Sequence, residues 1–329
     1  MNRLSSIAAP WRGKTAAERR TSLGALRDYG IVFAFLALFV TLSFASDFFL
    51  TERNMLNILY QAAPIGIMAA GGTLVFIAGG FDLSVGAIAA MAGVVAATTA
   101  DDVGAWPALA LGALVGLALG TGNGLLTTVG RINPFIATLA SSIIIRGLAL
   151  AITGGFLVSV DDPSFGTLGT GEVAGVRYPT LVWAAFALLT GFLLWRTRFG
   201  RYMYAAGGNA EAARLSGVRV GLVRGTTFAI SGLSGGIAGI IFVSQIGTAQ
   251  AEANPGIEFS VIAAVIIGGT SILGGEGAIW RSVLGTLLFQ LIGNGFNLMN
   301  VQPVYQRVFL GVIMLVAVGV DAWARRTRA

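Results

Sequence analysis

The chain has 329 residues, 55% of them hydrophobic and only 11% charged, with 21 Lys and Arg against 15 Asp and Glu and neither histidine nor cysteine. Soluble domains carry about 25% charged residues, so much of this surface faces lipid. The missing cysteine and histidine exclude a disulfide framework, the usual zinc sites, a cysteine nucleophile and a histidine base. No metal or cofactor is expected, and the net charge of +6 marks membrane topology rather than a nucleic-acid partner.

A membrane-spanning helix needs about 20 mostly apolar residues to cross about 30 Å of hydrocarbon, and ten stretches meet that need. Residues 1–28 form a basic segment. Its Gly13-Lys14-Thr15 is no phosphate loop, because Ala8 stands where a glycine is required and no strand precedes it. Span 1 (30–46) has no small-residue cleavage site behind it and reads as a retained span, not a signal peptide. Spans 2 (61–79) and 3 (84–100) flank the sequence Gly79-Gly80-Phe81-Asp82-Leu83-Ser84. Span 4 (106–128) carries Asn123, and span 5 (134–153) opens at Pro134 and carries Arg146. A connection over about 154–179, with Asp161, Asp162 and Glu172, leads to span 6 (180–195). The connection 196–222 leads to spans 7 (223–247), 8 (259–273), 9 (279–296) and 10 (304–323), and residues 324–329 form a tail.

Ten spans put both termini on one side, and basic residues should concentrate on the cytoplasmic side. The set of connections containing the termini holds seventeen: Arg3, Arg12, Lys14, Arg19, Arg20, Arg27, Arg131, Arg196, Arg198, Arg201, Arg214, Arg219, Arg224, Arg281, Arg325, Arg326 and Arg328. The opposite set holds Arg53, Arg177 and Arg307. Both termini are therefore expected in the cytoplasm. One span more or fewer would mix the two sets.

The spans also repeat. Gly80-Phe81-Asp82-Leu83-Ser84-Val85 matches Gly256-Ile257-Glu258-Phe259-Ser260-Val261; Gly122-Asn123-Gly124 matches Gly293-Asn294-Gly295; Pro134 matches Pro303. Three landmarks in one order at nearly one offset predict two related halves of five spans, about 29–153 and 180–323, within a single permease domain over 29–323. An odd number of spans inverts the second half, which is the architecture of many transporters with a pathway between repeats. The expected fold is thus an all-α integral membrane protein of about ten helices in a 5+5 inverted repeat.

Candidate pathway or gate residues are Asp82, Ser84, Asn123, Glu258, Ser260 and Asn294. Asp82 and Glu258 each precede a serine at a helix start, so they can cap free N–H groups, or sit near a mouth of the pathway and accept hydrogen bonds from substrate hydroxyls. Asn123 and Asn294 are amides at membrane depth that must find partners, in a neighbouring helix or a substrate. Arg146 is either functional or a side chain snorkelling to the interface. The glycine pairs, Gly79-Gly80 and Gly274-Gly275 among them, allow close helix packing or a helix break.

In the connection 196–222, Gly207-Gly208 breaks the preceding structure, Asn209 is a good N-cap, and Ala210 to Ser216 is a short helix that Gly217 can end. Alone, so short a helix is unstable, and packing against this chain or a partner must hold it.

Glu211-Ala212-Ala213, three residues and then Gly217 resembles the E-A-A-x-x-x-G loop of ABC importer permeases. GGFDLSVG (79–86), NPFIATL (133–139), RGLALAITGG (146–155), AAVIIGGTSILGG (263–275) and GNGFNLMNV (293–301) extend the resemblance to ribose-type and related simple-sugar permeases. The chain departs from them at Ser260, where they usually carry a second acid. The resemblance implies an importer in the bacterial inner membrane. In it, two permease subunits, identical or related, rest on cytoplasmic ATP-binding subunits and receive sugar from a periplasmic binding protein, in part through the connection 154–179. It further implies that Gly208, Asn209, Glu211, Ala212, Ala213, Arg214 and Gly217 make or shape the ATPase contact, so that this chain is a transport subunit and not an enzyme. A self-contained ion-coupled secondary transporter also explains ten spans and an inverted repeat, but it would want several ionisable groups within the spans. An intramembrane hydrolase would need a base beside its nucleophile.

Overall fold

The computed structural model describes residues 16–302 and, past them, 304–306, 308–309, 311–312, 315 and 319, with side chains from Tyr29 onward. Span 10, its landmark Pro303, most of the basic N-terminal segment and the tail lie largely outside the described residues. The first helix, α1 (Ala16–Ala45), starts well inside the basic segment, so residues 16–28 of that segment and the span form one helix.

Helix α2 (Glu52–Ile77) is buried along its second half and packs against α10, α12, α7 and α11. Thr51 caps it, accepting from Asn54 N at 3.4 Å. At its other end Gly79 takes φ +77°, turning the chain into a short connection before α3 (Val85–Val103). Gly104, at φ +85°, separates α3 from α4 (Ala105–Thr128). Without a Cβ it adopts this conformation at no steric cost, so two spans follow one another with a single residue between them.

The closest helix contact is α4 on α10 (Val220–Ile246). Gly112, Gly116, Gly120 and Gly124 recur every fourth residue and so fall on one face of α4. A Cβ on Gly116 would lie 2.5 Å from Gly236 Cα, and one on Gly124 would lie 2.7 Å from Gly225 O. In lipid, where helices gain little from the hydrophobic effect, such backbone-to-backbone approach is the main source of attraction.

Helix α5 (Pro134–Thr153) begins at its proline under an Asn133 cap and stops at Gly154 (φ +60°), as the sequence predicts. The connection that follows is structured. Strand β1 (Val158–Ser159) pairs antiparallel with β4 (Thr248–Ala249), in the register Val158 to Ala249 and Ser159 to Thr248. A 3-10 turn (Pro163–Gly166), α6 (Thr167–Thr170) and the hairpin of β2 (Glu172–Val173) with β3 (Val176–Arg177) complete it. Asp162 holds this connection to α4: its Oδ1 accepts from Ser164 N and Oγ, and its Oδ2 from Ala105 N at 3.2 Å.

Helices α7 (Tyr178–Arg196), α8 (Arg198–Gly208) and α9 (Ala210–Leu215) lead into α10. Gly207-Gly208 forms the last turn of α8, and the break falls at Asn209, whose backbone is extended. Helix α11 (Ile257–Ile267) has 11 residues, about 16 Å. The expected span over 259–273 is therefore a half-length helix followed by an irregular segment. The apolar run continues to Leu273, but Gly269 (φ +80°), Gly274 (φ +91°) and Gly275 (φ +74°) hold conformations no helix uses. Helix α12 (Ile279–Leu298) follows.

Among the described residues six helices are long and apolar enough to cross a membrane: α2, α3, α4, α5, α7 and α10. The apolar part of α1, Tyr29–Ala45, and α11 are shorter. Helix α3 lies on α4 and α10, while α11 lies on α12 and α2.

Candidate functional site

The predicted polar residues of the first half meet in one buried network. Ser84 N and Oγ both donate to Asp82 Oδ1, at 2.9 and 2.6 Å. Ser231 Oγ of α10 donates to Asp82 Oδ2 at 2.7 Å, and Asn123 Nδ2 of α4 donates to Ser84 Oγ at 2.7 Å. Leu83 N donates to Thr138 Oγ1 of α5 at 3.1 Å. Asp82, Ser84, Asn123, Thr138 and Ser231 are all buried. The connection between α2 and α3 is thereby fixed to α4, α5 and α10 at once.

Asp82 satisfies the free Ser84 N–H at the start of α3, as capping predicts, and does more than cap. Ser84 is the N-cap of α3 and makes no side-chain cap bond, while Asp82 folds back on Ser84 and reaches across to α10. Glu258 lies in the first turn of α11, whose N-cap is Gly256. Its Oε2 faces Arg146 Nη2 of α5 at 3.7 Å, so Arg146 points to an acid of the other half and does not snorkel. Asn294 does not copy Asn123 either. It exchanges hydrogen bonds with Asn54 at the start of α2, at 2.7 and 3.2 Å. Ser260 is half-buried on α11. The structure thus brings Asp82, Ser84 and Asn123 together and leaves Glu258, Ser260 and Asn294 apart from them.

Connections predicted to share the inner side converge. Gly275 N donates to Ile77 O at 2.9 Å, and Tyr204 Oη donates to Gly277 O at 2.7 Å. A Cβ on Gly274 would meet Gly79 Cα at 2.9 Å and Gly207 Cα at 3.1 Å. The ends of α2 and α8 and the segment after α11 therefore touch through glycine backbones. Arg224 of α10 ties this junction: its Nε donates to Ala78 O at 2.9 Å and its Nη2 to Ala206 O at 3.2 Å. Burial pushes the Tyr204 phenol above its ordinary range.

Beside the junction stands α9. Asn209 Oδ1 accepts from Ala212 N at 3.0 Å. At the other end Gly217 (φ +83°) lets Gly217 N reach Arg214 O and Val218 N reach Ala213 O, both at 3.0 Å. This reciprocal pattern closes a helix against its own carbonyls. Ala213 is buried, whereas Gly208, Asn209, Glu211, Ala212, Arg214 and Gly217 are exposed, and Glu211 pairs with Arg214 at 2.7 Å. Six of the seven predicted residues thus face outward on a capped helix that Ala213 anchors.

At the opposite end a cavity of about 460 Å³ is lined by Arg53, Asn54, Asn57, Glu172 and Arg177 among others, with Arg177 over the Tyr60 ring at 4.4 Å.

Arg224, Ser231, Thr138 and Asn54 were not singled out from the sequence. Arg224 had a signal, a charge inside the first turns of an apolar helix; serines and threonines in apolar helices carry none, because most bond their own backbone as Thr73 does to Ala69 O.

Residues 54–318 match the family described as branched-chain amino acid transport system / permease component. The chain is 39% identical over 301 residues to the ribose import permease protein RbsC of Escherichia coli (strain K12), covering 90% of this chain and 94% of that one. It is 38% identical over 301 residues to RbsC of Bacillus subtilis (strain 168), covering 91% and 94%. To the L-arabinose transport system permease protein AraH of Escherichia coli (strain K12) it is 36% identical over 327 residues, covering 99% of each. No solved structure matches. With a family match over most of its length and several helices able to cross a bilayer, the chain belongs to the permease components of this transport-system family, as a multi-pass membrane protein.

Proposed function

We propose that this chain is the membrane permease subunit of an ATP-binding-cassette importer that carries a simple sugar, a ribose- or arabinose-like monosaccharide or a related polyol, into the bacterial cytoplasm. Transport proceeds by alternating access between two inverted five-span halves, with both termini cytoplasmic. A separate ATPase drives it, a periplasmic binding protein delivers the sugar, and a second permease subunit, identical or related, completes the pathway. The observation that carries the reading is α9, a six-residue helix closed at both ends, exposed on one face and seated beside the junction of α2, α8 and α10. A helix this short is rigid only by virtue of its caps and its packing, which suits a surface that another protein pushes.

Asp82, Ser84, Asn123, Glu258, Ser260 and Asn294 are the pathway and gate residues of this proposal. The Asp82 network lies between the junction and the helix bodies, where a displacement of α9 reaches it through Arg224 and the end of α2. The test is reconstitution in proteoliposomes with an ATPase and a binding protein of the same importer type from the same organism. ATP-dependent uptake of radiolabelled ribose or L-arabinose is expected. Uptake that needs no ATP and follows an ion gradient would overturn the reading in favour of a secondary transporter.

A further inference from the structure

Arg146 and Glu258 are a poorly made ion pair, by the standard of the same molecule. Asp82 accepts three hydrogen bonds. Arg146 Nη2 and Glu258 Oε2 stand 3.7 Å apart, and each side chain is 16% exposed. Arg146 Nη1 and Nη2 and Glu258 Oε2 are shielded yet make no hydrogen bond to another group among the described residues. A structural arginine–carboxylate pair closes to about 2.7–2.9 Å and is often bidentate. Buried without such bonds, two charges cost more desolvation than their attraction returns. Gly86 of α3 admits the carboxylate, since a Cβ there would collide with Glu258 Oε2. Three helices, from both halves of the chain, therefore meet around two charges with unused hydrogen-bonding capacity.

We infer that Arg146 and Glu258 form a hydroxyl-binding station for a neutral polyhydroxylated substrate, opened when α11 moves away from α5. The inference rests on the sugar-importer reading and deepens it. A guanidinium offers only donors and a carboxylate only acceptors, whereas each sugar hydroxyl is both. A vicinal diol placed between them satisfies both groups at once. The paired charges also select: an anionic solute meets Glu258 and a cationic one meets Arg146. The cavity beside Gly86 and Ile257 holds about 20 Å³, room for a water and not a sugar, so the station is reached only in a more open arrangement.

Ser142 lies one turn from Arg146 on the same face of α5, and the chain has no cysteine of its own, so S142C supplies a single thiol. In proteoliposomes of the complete importer, ribose or L-arabinose is expected to slow modification of S142C by a methanethiosulfonate reagent. That protection should vanish in S142C/E258Q and S142C/R146Q, and also in S142C/R146Q/E258Q, which leaves no charge uncompensated and whose thermal stability should stay near that of S142C. Uptake by E258Q and R146Q should fall about tenfold or more, equivalent to one charge-assisted hydrogen bond. The charge swap R146E/E258R should not recover it. Undiminished protection in S142C/E258Q, or wild-type uptake by the swapped pair, would reduce the pair to a structural tie and overturn the inference. A wild-type importer that carries no sugar would instead fail the underlying reading, and that result appears before any variant is made.

Discussion

Asp82 is a buried carboxylate whose hydrogen bonds come from three separate side-chain and backbone donors, so each partner matters more than a surface contact would. A hydrogen bond to a charged group contributes about 1.5–3 kcal/mol. Ser231→Ala should therefore lower stability by about 2 kcal/mol, measured by thermal unfolding in detergent. Asp82→Ala should cost more, because it leaves the Ser84 and Ser231 hydroxyls without their acceptor. Arg224 should behave differently. Its guanidinium reaches two carbonyls through two nitrogens, which the single ammonium of lysine cannot reproduce. Arg224→Lys is expected to leave the protein folded yet lower sugar uptake per ATP hydrolysed; unchanged coupling would remove Arg224 from the transmission path. Asp162 gives a pH dependence. The Ser164 hydroxyl, followed by its amide, holds the Asp162 carboxyl below its ordinary range. A folded value below the unfolded one of about 3.9 means that the contribution is present above pH 4 and is lost as pH falls through the folded value. Hydrogen exchange at Ala105 and Ser164, corrected for intrinsic rates, should rise at pH 3 relative to pH 6, and Asp162→Ala should remove the difference.

Helix α9 is the element on which the coupling proposal depends, and its two ends can be tested apart from its outer face. Asn209→Ala removes one cap bond and should cost about 1 kcal/mol of local stability. Gly217→Val places a β-branched residue at φ +83°, a conformation such residues resist, and should unwind the last turn. Glu211→Lys leaves the backbone alone and breaks only the exposed pair with Arg214. Both Gly217→Val and Glu211→Lys are expected to abolish most ATP-driven uptake at normal membrane expression. Full uptake by either would count against an ATPase contact here. The α4–α10 packing makes a contrasting prediction: Gly116→Leu cannot be accommodated against the α10 backbone and should reduce folded yield itself, seen as loss of a monodisperse peak on size exclusion.

For the molecule as a whole, the proposal requires that motion begin outside the membrane and be passed inward by tight backbone contacts. The glycine junction of Gly79, Gly207 and Gly274 joins three predicted inner connections without intervening side chains, so a shift in one displaces the others. At the opposite end the β1–β4 ladder joins the connection after α5 to the one after α10. Purified alone in liposomes, the chain should equilibrate or exclude sugar, and sustained accumulation against a gradient without a partner would overturn the division of labour.

The sequence by itself determined what depends on local chemistry: lipid as the solvent, from the scarcity of charge; the start of α5, from Pro134; and the caps of α9, from Asn209 and Gly217. These features are set by a few neighbouring residues, so they can be read without the fold. Only the tertiary structure decided that α11 stops at Ile267, because the glycine pairs of GGTSILGG fit either close helix packing or a helix break, and backbone conformation alone separates the two. It also decided which polar residues meet. Asp82 with Ser231, Arg146 with Glu258 and Asn54 with Asn294 lie more than 100 residues apart, and spans apolar on every face give no period from which such partners could be chosen.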